Sequence, residues 1–453
     1  MHRSRFLAKT TALSVAGVLV ALPAFAQTGQ PQIEQLMQQL ETQKKMMDNI
    51  SRELEKVRTE QTKQAATGGG DVEVTTKGGL AVKSKDGNFE FKVGGRLQAD
   101  YNSYDQDKTE LGDGTEFRRV RIHVEGKMFK DWAFKIEPDF ANNGVSLKDV
   151  YLQYKGFSDV GITVGQFKQP FSLEELTSSR HITFMERALP NVFSLAHRIG
   201  VGFNSNGDNW SAGLAFAGGV EGNDVSNEGD ESYTTTARLT FAPIHGKTEA
   251  IHLGVAGSWI NPRDEAIRIR QRPEAHVTSV RFVDTGTIPG KINNQFLYGF
   301  ETAAVYGPFS AQGEYMTLRT TRDTLANLSF DGWYGYLSFF LTGESRTYDP
   351  KKGRFDRLKP TRAVPDGGYG AWEVALRYSG IDLTDEDING GGEKNVTLAL
   401  NWYPTPYVRL MANYIWVNND NKATGSSAPL LPGETFRGDD DPQIFLLRAQ
   451  VDF

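Results

Sequence analysis

Phe89-Glu90-Phe91-Lys92-Val93-Gly94-Gly95-Arg96-Leu97-Gln98-Ala99-Asp100-Tyr101 places Phe89, Phe91, Val93, Leu97, Ala99 and Tyr101 on one face of an extended chain and Glu90, Lys92, Arg96, Gln98 and Asp100 on the other. Side chains of a strand alternate between its faces, so one face is apolar and the other charged. The same period sets Val120, Ile122, Val124 and Met128 against Arg119, Arg121, His123, Glu125 and Lys127. It also sets Trp132, Phe134, Ile136 and Phe140 against Lys135, Glu137 and Asp139. Each segment spans about ten residues, and many carry an aromatic near one end, as strands that cross a membrane do.

Alternation continues at 150–155, 160–167, 199–204, 210–217, 234–241, 251–259, 296–305, 309–317, 333–342, 372–378, 396–403, 408–417 and 445–453. With the first three segments this makes about sixteen strands, an even number that closes an antiparallel barrel around a water-filled lumen. The expected fold is therefore an all-β, 16-stranded antiparallel transmembrane β-barrel over 89–453, whose natural product is a pore. Short connections (128–132, 204–210, 306–309, 403–407) alternate with long ones (101–117, 167–199, 259–296, 378–396, 417–445), as periplasmic turns alternate with external loops. One connection breaks the parity. Gly343 to Tyr369 falls on the short side yet is long and carries Arg346, Lys351, Lys352, Arg354, Arg357, Lys359 and Arg362. Either the strand count is off, or a basic periplasmic segment folds over or into the pore.

Ahead of the barrel, Arg3, Arg5 and Lys9 precede an apolar run that ends at Ala24-Phe25-Ala26, the form of a cleaved export signal over 1–26. Without Arg3, Arg5 and Lys9, 47 Lys and Arg face 56 Asp and Glu, an acidic balance that argues against nucleic acid as a partner. The chain has no cysteine, which excludes disulfides and thiolate metal sites. Within 27–63, Ile33, Leu36, Leu40, Met47, Ile50, Leu54 and Val57 fall on heptad a and d positions. A stripe of that kind calls for partner helices, so a coiled coil that brings copies together is expected; the alternative is a lone amphipathic helix lying on the body. Residues 64–88, with Gly68-Gly69-Gly70 near their start, form the linker and barrel entry.

The stretch Thr75-Thr76-Lys77-Gly78-Gly79-Leu80, followed by Phe89 to Asp100, resembles the opening of the phosphate-selective porin O and P family. Further matches are Phe117-Arg118-Arg119 with Asp131-Trp132, Gly165 to Glu174 leading to Thr177-Ser178-Ser179 and Glu186-Arg187, and Leu341-Thr342-Gly343-Glu344 leading to Lys359-Pro360. The resemblance implies a homotrimer of 16-stranded outer-membrane barrels, each with an arginine-lined lumen narrowed by the third external loop and conducting anions. It places basic pore residues at Arg96, Arg118, Arg119 and Arg187, and Arg180 matches a loop lysine. It also reads the N-terminal helix as a periplasmic coiled coil and the terminal strand ending in Phe453 as an assembly signal. Glu175 departs from the pattern, because the family's phosphate-selective members carry lysine after the Leu-Glu pair. Ala133 likewise replaces a wall lysine, with Lys135 two residues on.

An anion pathway needs cations at several depths, and arginine supplies a permanent charge in a fork that fits phosphate or carboxylate oxygens. The candidate lining is Arg96, Arg118, Arg119, Arg121, Lys127, Lys135, Arg180, Arg187, Arg268, Arg270 and Arg272, with Phe171, Glu174 and Glu175 on the constriction loop. The alternative for the strand-borne cations is simple pairing with Glu90, Glu125, Glu137 and Asp139, and for the run at 268–272 a solvated loop. Neither Gly-x-Ser-x-Gly nor His-Glu-x-x-His occurs, so no enzyme, cofactor or metal is expected. Asp382, Asp385, Glu386, Asp387 and Asp439 to Asp441 either bridge to lipopolysaccharide through divalent cations or are solvated loop tips. Three functions remain open: an anion porin, a general or differently selective porin, and an outer-membrane anchor with a periplasmic coiled coil.

Overall fold

The computed structural model describes residues 41–42, 44–57, 59, 72–76, 79–141, 143–218, 232–263, 266–420, 423, 430–432 and 440–453. The expected export signal, the first part of the heptad run and the glycine linker lie outside these residues. The chain divides into two units, 1–70 and 71–453. In the first, residues 41–42, 44–57 and 59 are helical, with Glu41–Lys45 and Glu53–Lys56 ion pairs of 3.4 and 2.7 Å along the surface. The stripe Met47, Ile50, Leu54 and Val57 is exposed within the single chain.

The second unit opens with the hairpin β1 (Val72–Thr75) and β2 (Leu80–Ser84), in the part of the chain expected to be linker and barrel entry. The barrel begins with β3 (Glu90–Asp105), β4 (Gly114–Met128), β5 (Trp132–Asp139), β6 (Ser146–Tyr154), β7 (Gly161–Lys168), β8 (His197–Asn206) and β9 (Trp210–Gly218). It continues through β10 (Tyr233–His245), β11 (Glu249–Asn261), β14 (Ile292–Tyr306), β15 (Phe309–Arg322) and β16 (Leu328–Phe340). The last strands are β19 (Ala371–Asp385), β20 (Ile388–Thr405), β21 (Val408–Asn419) and β22 (Gln443–Asp452). Two small hairpins stand apart from the wall, β12 (Arg268–Gln271) with β13 (Val283–Thr287), and β17 (Tyr348–Asp349) with β18 (Arg354–Phe355).

Each wall strand pairs antiparallel with the next, and β22 returns to β3 with Ile444 opposite Tyr104 and Gln450 opposite Gln98. Sixteen strands therefore close on themselves, and all sixteen alternating segments of the sequence lie on them. Below the end of β22, β2 pairs with the same edge of β3, Leu80 opposite Val93. Phe453 seats on Gly94 and Gly95: Gly95 N donates to Phe453 O at 3.0 Å and Phe453 N to Gly95 O at 3.1 Å. A Cβ on Gly94 would fall 2.6 Å from Phe453 O and one on Gly95 2.7 Å from its ring, so only glycine fits there.

Outward residues such as Leu253, Phe300, Leu337 and Leu398 are exposed, while inward residues are largely polar or charged. Aromatic pairs mark both rims of the apolar band: Trp132–Tyr154 and Phe309–Phe339 at one, Tyr233–Trp259 and Trp333–Tyr378 at the other. Such girdles sit at the two membrane–water interfaces.

One loop prediction is revised, and of the two alternatives left open for another the second holds. The expected long loop between Tyr378 and Val396 is instead strand, because β19 and β20 run on to a two-residue turn at Glu386-Asp387. Their inward Ile381, Leu383 and Ile388 join an apolar core with Leu297, Met316 and Phe330 of the wall and Leu189, Phe193, Ile269 and Val283 of the loops. That core lies inside the barrel, so the alternation inverts there, with Ile381 and Leu383 inward and Asp382 and Thr384 outward. The connection 341–370, on the short-turn rim, turns into the lumen, which resolves the parity problem without a change in strand count.

Candidate functional site

The loop 169–196 between β7 and β8, here called the inward loop, is fixed to the wall by carboxylates that receive its backbone. Ser172, at φ 67°, caps the short helix Leu173–Leu176, its Oγ accepting from Glu175 N at 3.1 Å. Glu314 of β15 accepts from Leu173 N at 3.0 Å and Glu174 N at 2.7 Å. Phe171 packs against Gly299, where a Cβ would come within 2.8 Å of the ring. Phe171 and Glu174 are thus buried supports of the inward loop, Glu174 accepting from Ala188 N at 3.0 Å.

Glu175, placed by the resemblance where a pore cation is expected, is also buried. Lys168 Nζ lies 2.7 Å from its Oε1 and Arg187 Nε 3.2 Å from its Oε2, and Asn191 donates to Oε2 at 3.2 Å. Burial works to raise its carboxyl, but Arg187 and Lys168 prevail and hold it at about 2. Arg187 itself is spent on the loop, donating to the backbone oxygens of Glu174, Glu175 and Thr177 at 3.0, 3.1 and 3.2 Å.

Arg118 and Arg119 both point inward although they are adjacent. The pairing of β3 with β4 slips there, Gln98 facing Arg119 and Ala99 facing Phe117, so Arg118 is the extra residue of a bulge. Arg118 forks onto Glu186 of the inward loop at 2.8 and 3.0 Å, Arg119 Nη1 donates to Gln98 at 2.8 Å, and Arg448 reaches the same Glu186 at 2.7 Å. Burial opposes ionisation of Glu186, yet the three guanidinium groups keep it well below the ordinary range.

A second carboxylate gathers more of the expected cations. Glu137 of β5 has Arg96, Arg121, Lys135 and Arg180 at 3.3, 3.0, 3.1 and 3.7 Å. Arg96 also donates to Ser179 Oγ at 2.6 Å, Arg121 to Asp139 at 2.7 Å and Lys135 to Asp149 at 2.6 Å. These side chains border a cavity of about 650 Å³ between β3–β9, the tip of the inward loop and the hairpin β17–β18. Its lining holds eight basic side chains, Lys92, Arg96, Arg121, Lys135, Lys168, Arg180, Arg354 and Arg357, against four carboxylates, Glu125, Glu137, Asp149 and Asp356.

The hairpin comes from the segment 341–370. Gly353, at φ +57°, turns it where a Cβ would lie 2.6 Å from Thr240 Oγ1, and its carbonyl accepts from Arg238 at 2.7 Å. Tyr348 OH meets His252 Nδ1 at 2.6 Å, Arg346 stacks 3.5 Å above the Phe355 ring, and Arg354 donates to Leu176 O at 3.2 Å. The hairpin is therefore bonded to wall and inward loop alike. Lys92, Lys168, Arg354 and Arg357 were absent from the candidate lining. Lys92 and Lys168 lie within quoted motifs, but the two arginines needed the path of this segment to be known.

Other expected lining residues stand elsewhere. Lys127 is half exposed at the turn rim, 4.0 Å from Glu90. Arg268 and Arg270 are on the exposed face of β12, Arg268 forked onto Asp284 at 2.7 and 2.6 Å, while Ile269 between them packs inward. Arg272, past the strand end, is half-buried, and burial and the neighbouring Arg118 lower its pKa.

Comparison with known proteins places this geometry. The family model described as "Phosphate-selective porin O and P" matches residues 91–453. Porin O of Pseudomonas aeruginosa is 32% identical over 429 residues, 85% of this chain and 94% of that protein. An uncharacterized protein of Caulobacter vibrioides is 32% identical over 357 residues, 76% of this chain and 71% of its own length. Among solved structures, an anion-selective porin from Comamonas acidovorans aligns with TM-score 0.52 at 11% identity, over 81% of this chain and all of the other, a likeness of fold alone. The barrel is a channel rather than an enzyme scaffold, and by its sequence from 91 to 453 the chain belongs to the phosphate-selective porin O and P family of the outer membrane.

Proposed function

We propose that this outer-membrane porin passes small anions, phosphate among them, by passive diffusion along the β3–β9 side of its lumen. The observation that carries the reading is the excess of basic side chains over carboxylates around the cavity between wall and inward loop, seven against four once Lys168 is set aside with its partner Glu175. A confined positive surface replaces part of an anion's hydration, and because Arg96, Arg121, Lys135 and Arg180 share Glu137, none binds so tightly that the ion cannot leave. Glu175 does not counter this, since it is buried and matched by Lys168 and Arg187. That pairing favours the anion porin over a general or differently selective one.

The proposed assembly is a homotrimer in outer-membrane lipid, exported with removal of 1–26 and joined in the periplasm by its helices. The exposed stripe Met47, Ile50, Leu54 and Val57 supports it, because such a stripe is covered by copies of itself in a coiled coil. About 29 helical residues would reach roughly 43 Å, a length suited to holding copies together rather than to a long tether. Deletion of 27–70 separates these roles: loss of trimers supports assembly, whereas loss of cell-wall association with trimers intact supports an anchor.

The test of conduction is the reversal potential of single channels in a planar bilayer under a KCl gradient, with and without added phosphate. Anion selectivity with chloride current blocked by phosphate is expected. Cation selectivity would overturn the reading.

A further inference from the structure

On the far side of Arg180 and His181 from the main cavity, a recess of about 30 Å³ opens between the inward loop, the segment 341–370 and strands β19–β22. That is room for one small ion or a pair of waters. Its border carries the guanidinium groups of Arg180, Arg346, Arg357 and Arg409. Three carboxylates stand beside these four guanidinium groups: Glu373 Oε2 accepts from Asn401 at 3.0 Å and Tyr403 OH at 2.8 Å and lies 3.9 Å from Arg409, Asp452 is bonded by Arg357, and Asp356 lies 3.5 Å from His181 Nδ1, which leaves one positive charge in excess.

The donors are not matched in the same way. Arg180 Nε, His181 Nε2 and Arg409 Nε are buried without a hydrogen-bond partner among the described residues. Arg180 has its carboxylates only at 3.7 and 3.9 Å, and Arg409, 2% exposed, spends its other nitrogens on Ile182 O and Thr183 O at 2.6 and 2.8 Å. Buried donors in native proteins find acceptors, and an arginine nitrogen has no acceptor role to fall back on. We infer that this recess binds one small inorganic anion, held by Arg180, His181 and Arg409, which clamps the inward loop against the inner segment. Water would supply acceptors but would leave the surplus positive charge uncompensated. The imidazole of His181 registers that charge: burial, then Arg357, Arg180, Arg96 and Arg409, hold its pKa well below the ordinary value. The site goes beyond the conduction reading, since it holds whether or not the main cavity selects anions.

The experiment is diffraction from the full-length protein with bromide replacing chloride. An anomalous peak is expected in the recess, within about 3.5 Å of nitrogens of Arg180 and Arg409. Its absence from a well-ordered recess, or water density in its place, overturns the inference. In Arg409→Gln the recess peak should vanish while any peaks beside Lys135 persist; a retained recess peak counts against the site. In solution, the thermal midpoint should rise saturably when gluconate is exchanged for bromide or inorganic phosphate, and Arg180→Gln should abolish that rise. If the main cavity proves unselective, peaks along it disappear while the recess peak stays, so failure of one reading is told from failure of the other.

Discussion

Arg187 Nε and Glu175 Oε2 stand 3.2 Å apart inside the inward loop, out of the passage, with Lys168 closing the far side of the same carboxylate. The pair fastens the loop. Removal of one partner from a buried pair typically costs about 3–5 kcal/mol, because the other charge is left uncompensated. Glu175→Lys should therefore lower the yield and heat resistance of folded barrels and make single-channel current noisy, without a gain in anion selectivity. Glu175→Gln should leave the reversal potential unchanged. A quiet, more anion-selective Glu175→Lys channel would refute the assignment.

Acid should release the same fastening. Glu175 titrates near 2 in the folded loop against an ordinary 4.5, so its contribution is complete above about pH 4.5 and is lost as pH falls toward 2. The shift corresponds to about 3 kcal/mol. Current traces should be steady from pH 7 to about 5 and flicker increasingly below 4; Glu175→Gln should remove that pH dependence.

Charge reversal on the wall should act on selectivity instead. Two unit charges about 6 Å apart interact by roughly 0.7 kcal/mol in bulk water and 3 kcal/mol at an effective dielectric of 20. Reversal changes that interaction by twice its size, so Lys135→Glu should reduce anion over cation permeability by about tenfold or more, read as a shift in reversal potential. Lys127→Glu, at the rim, should shift it far less.

The hairpin β17–β18 occupies lumen space and is tied to the inward loop through Arg354 and Leu176 O. Replacing 345–366 with a short glycine-serine link should raise single-channel conductance and weaken phosphate block. Arg354→Ala should increase open-channel noise with little change in mean conductance. An unchanged conductance after the deletion would mean that the ion path avoids this hairpin.

Ile50→Ser with Leu54→Ser removes apolar surface from the heptad stripe. The double variant should dissociate from trimers to monomers at lower temperature than the parent on semi-native gels, while monomer unfolding stays the same.

The wall was legible in the sequence because its signal is local: every two residues, the bilayer asks for one apolar side chain and the lumen for a polar one. Where the lumen itself is packed, as around Ile381, Leu383 and Ile388, the sense of the alternation inverts, apolar side chains facing inward and Asp382, Thr384 and Asn389 outward, which is why β19 and β20 read too short. The site was legible only in part. Arg96, Arg121, Lys135 and Arg180 come together as strand parity and loop position suggest, but their common tie to Glu137 depends on the register between neighbouring strands. The bulge at Arg118 and the partners of Glu175 are long-range facts, and a residue type at one position does not announce what crosses the lumen to meet it.

The seam where β22 meets β3, with Phe453 lodged against Gly94 and Gly95, bears on how the molecule comes into being. The two strands are the first and sixteenth of the wall, so until they meet each presents a row of unpaired amides and carbonyls that hydrocarbon cannot satisfy. A half-built barrel therefore has no comfortable place in a bilayer. Insertion and closure must proceed together, and a bulky side chain at either glycine would strand the chain as an open, adhesive sheet rather than yield a weaker channel.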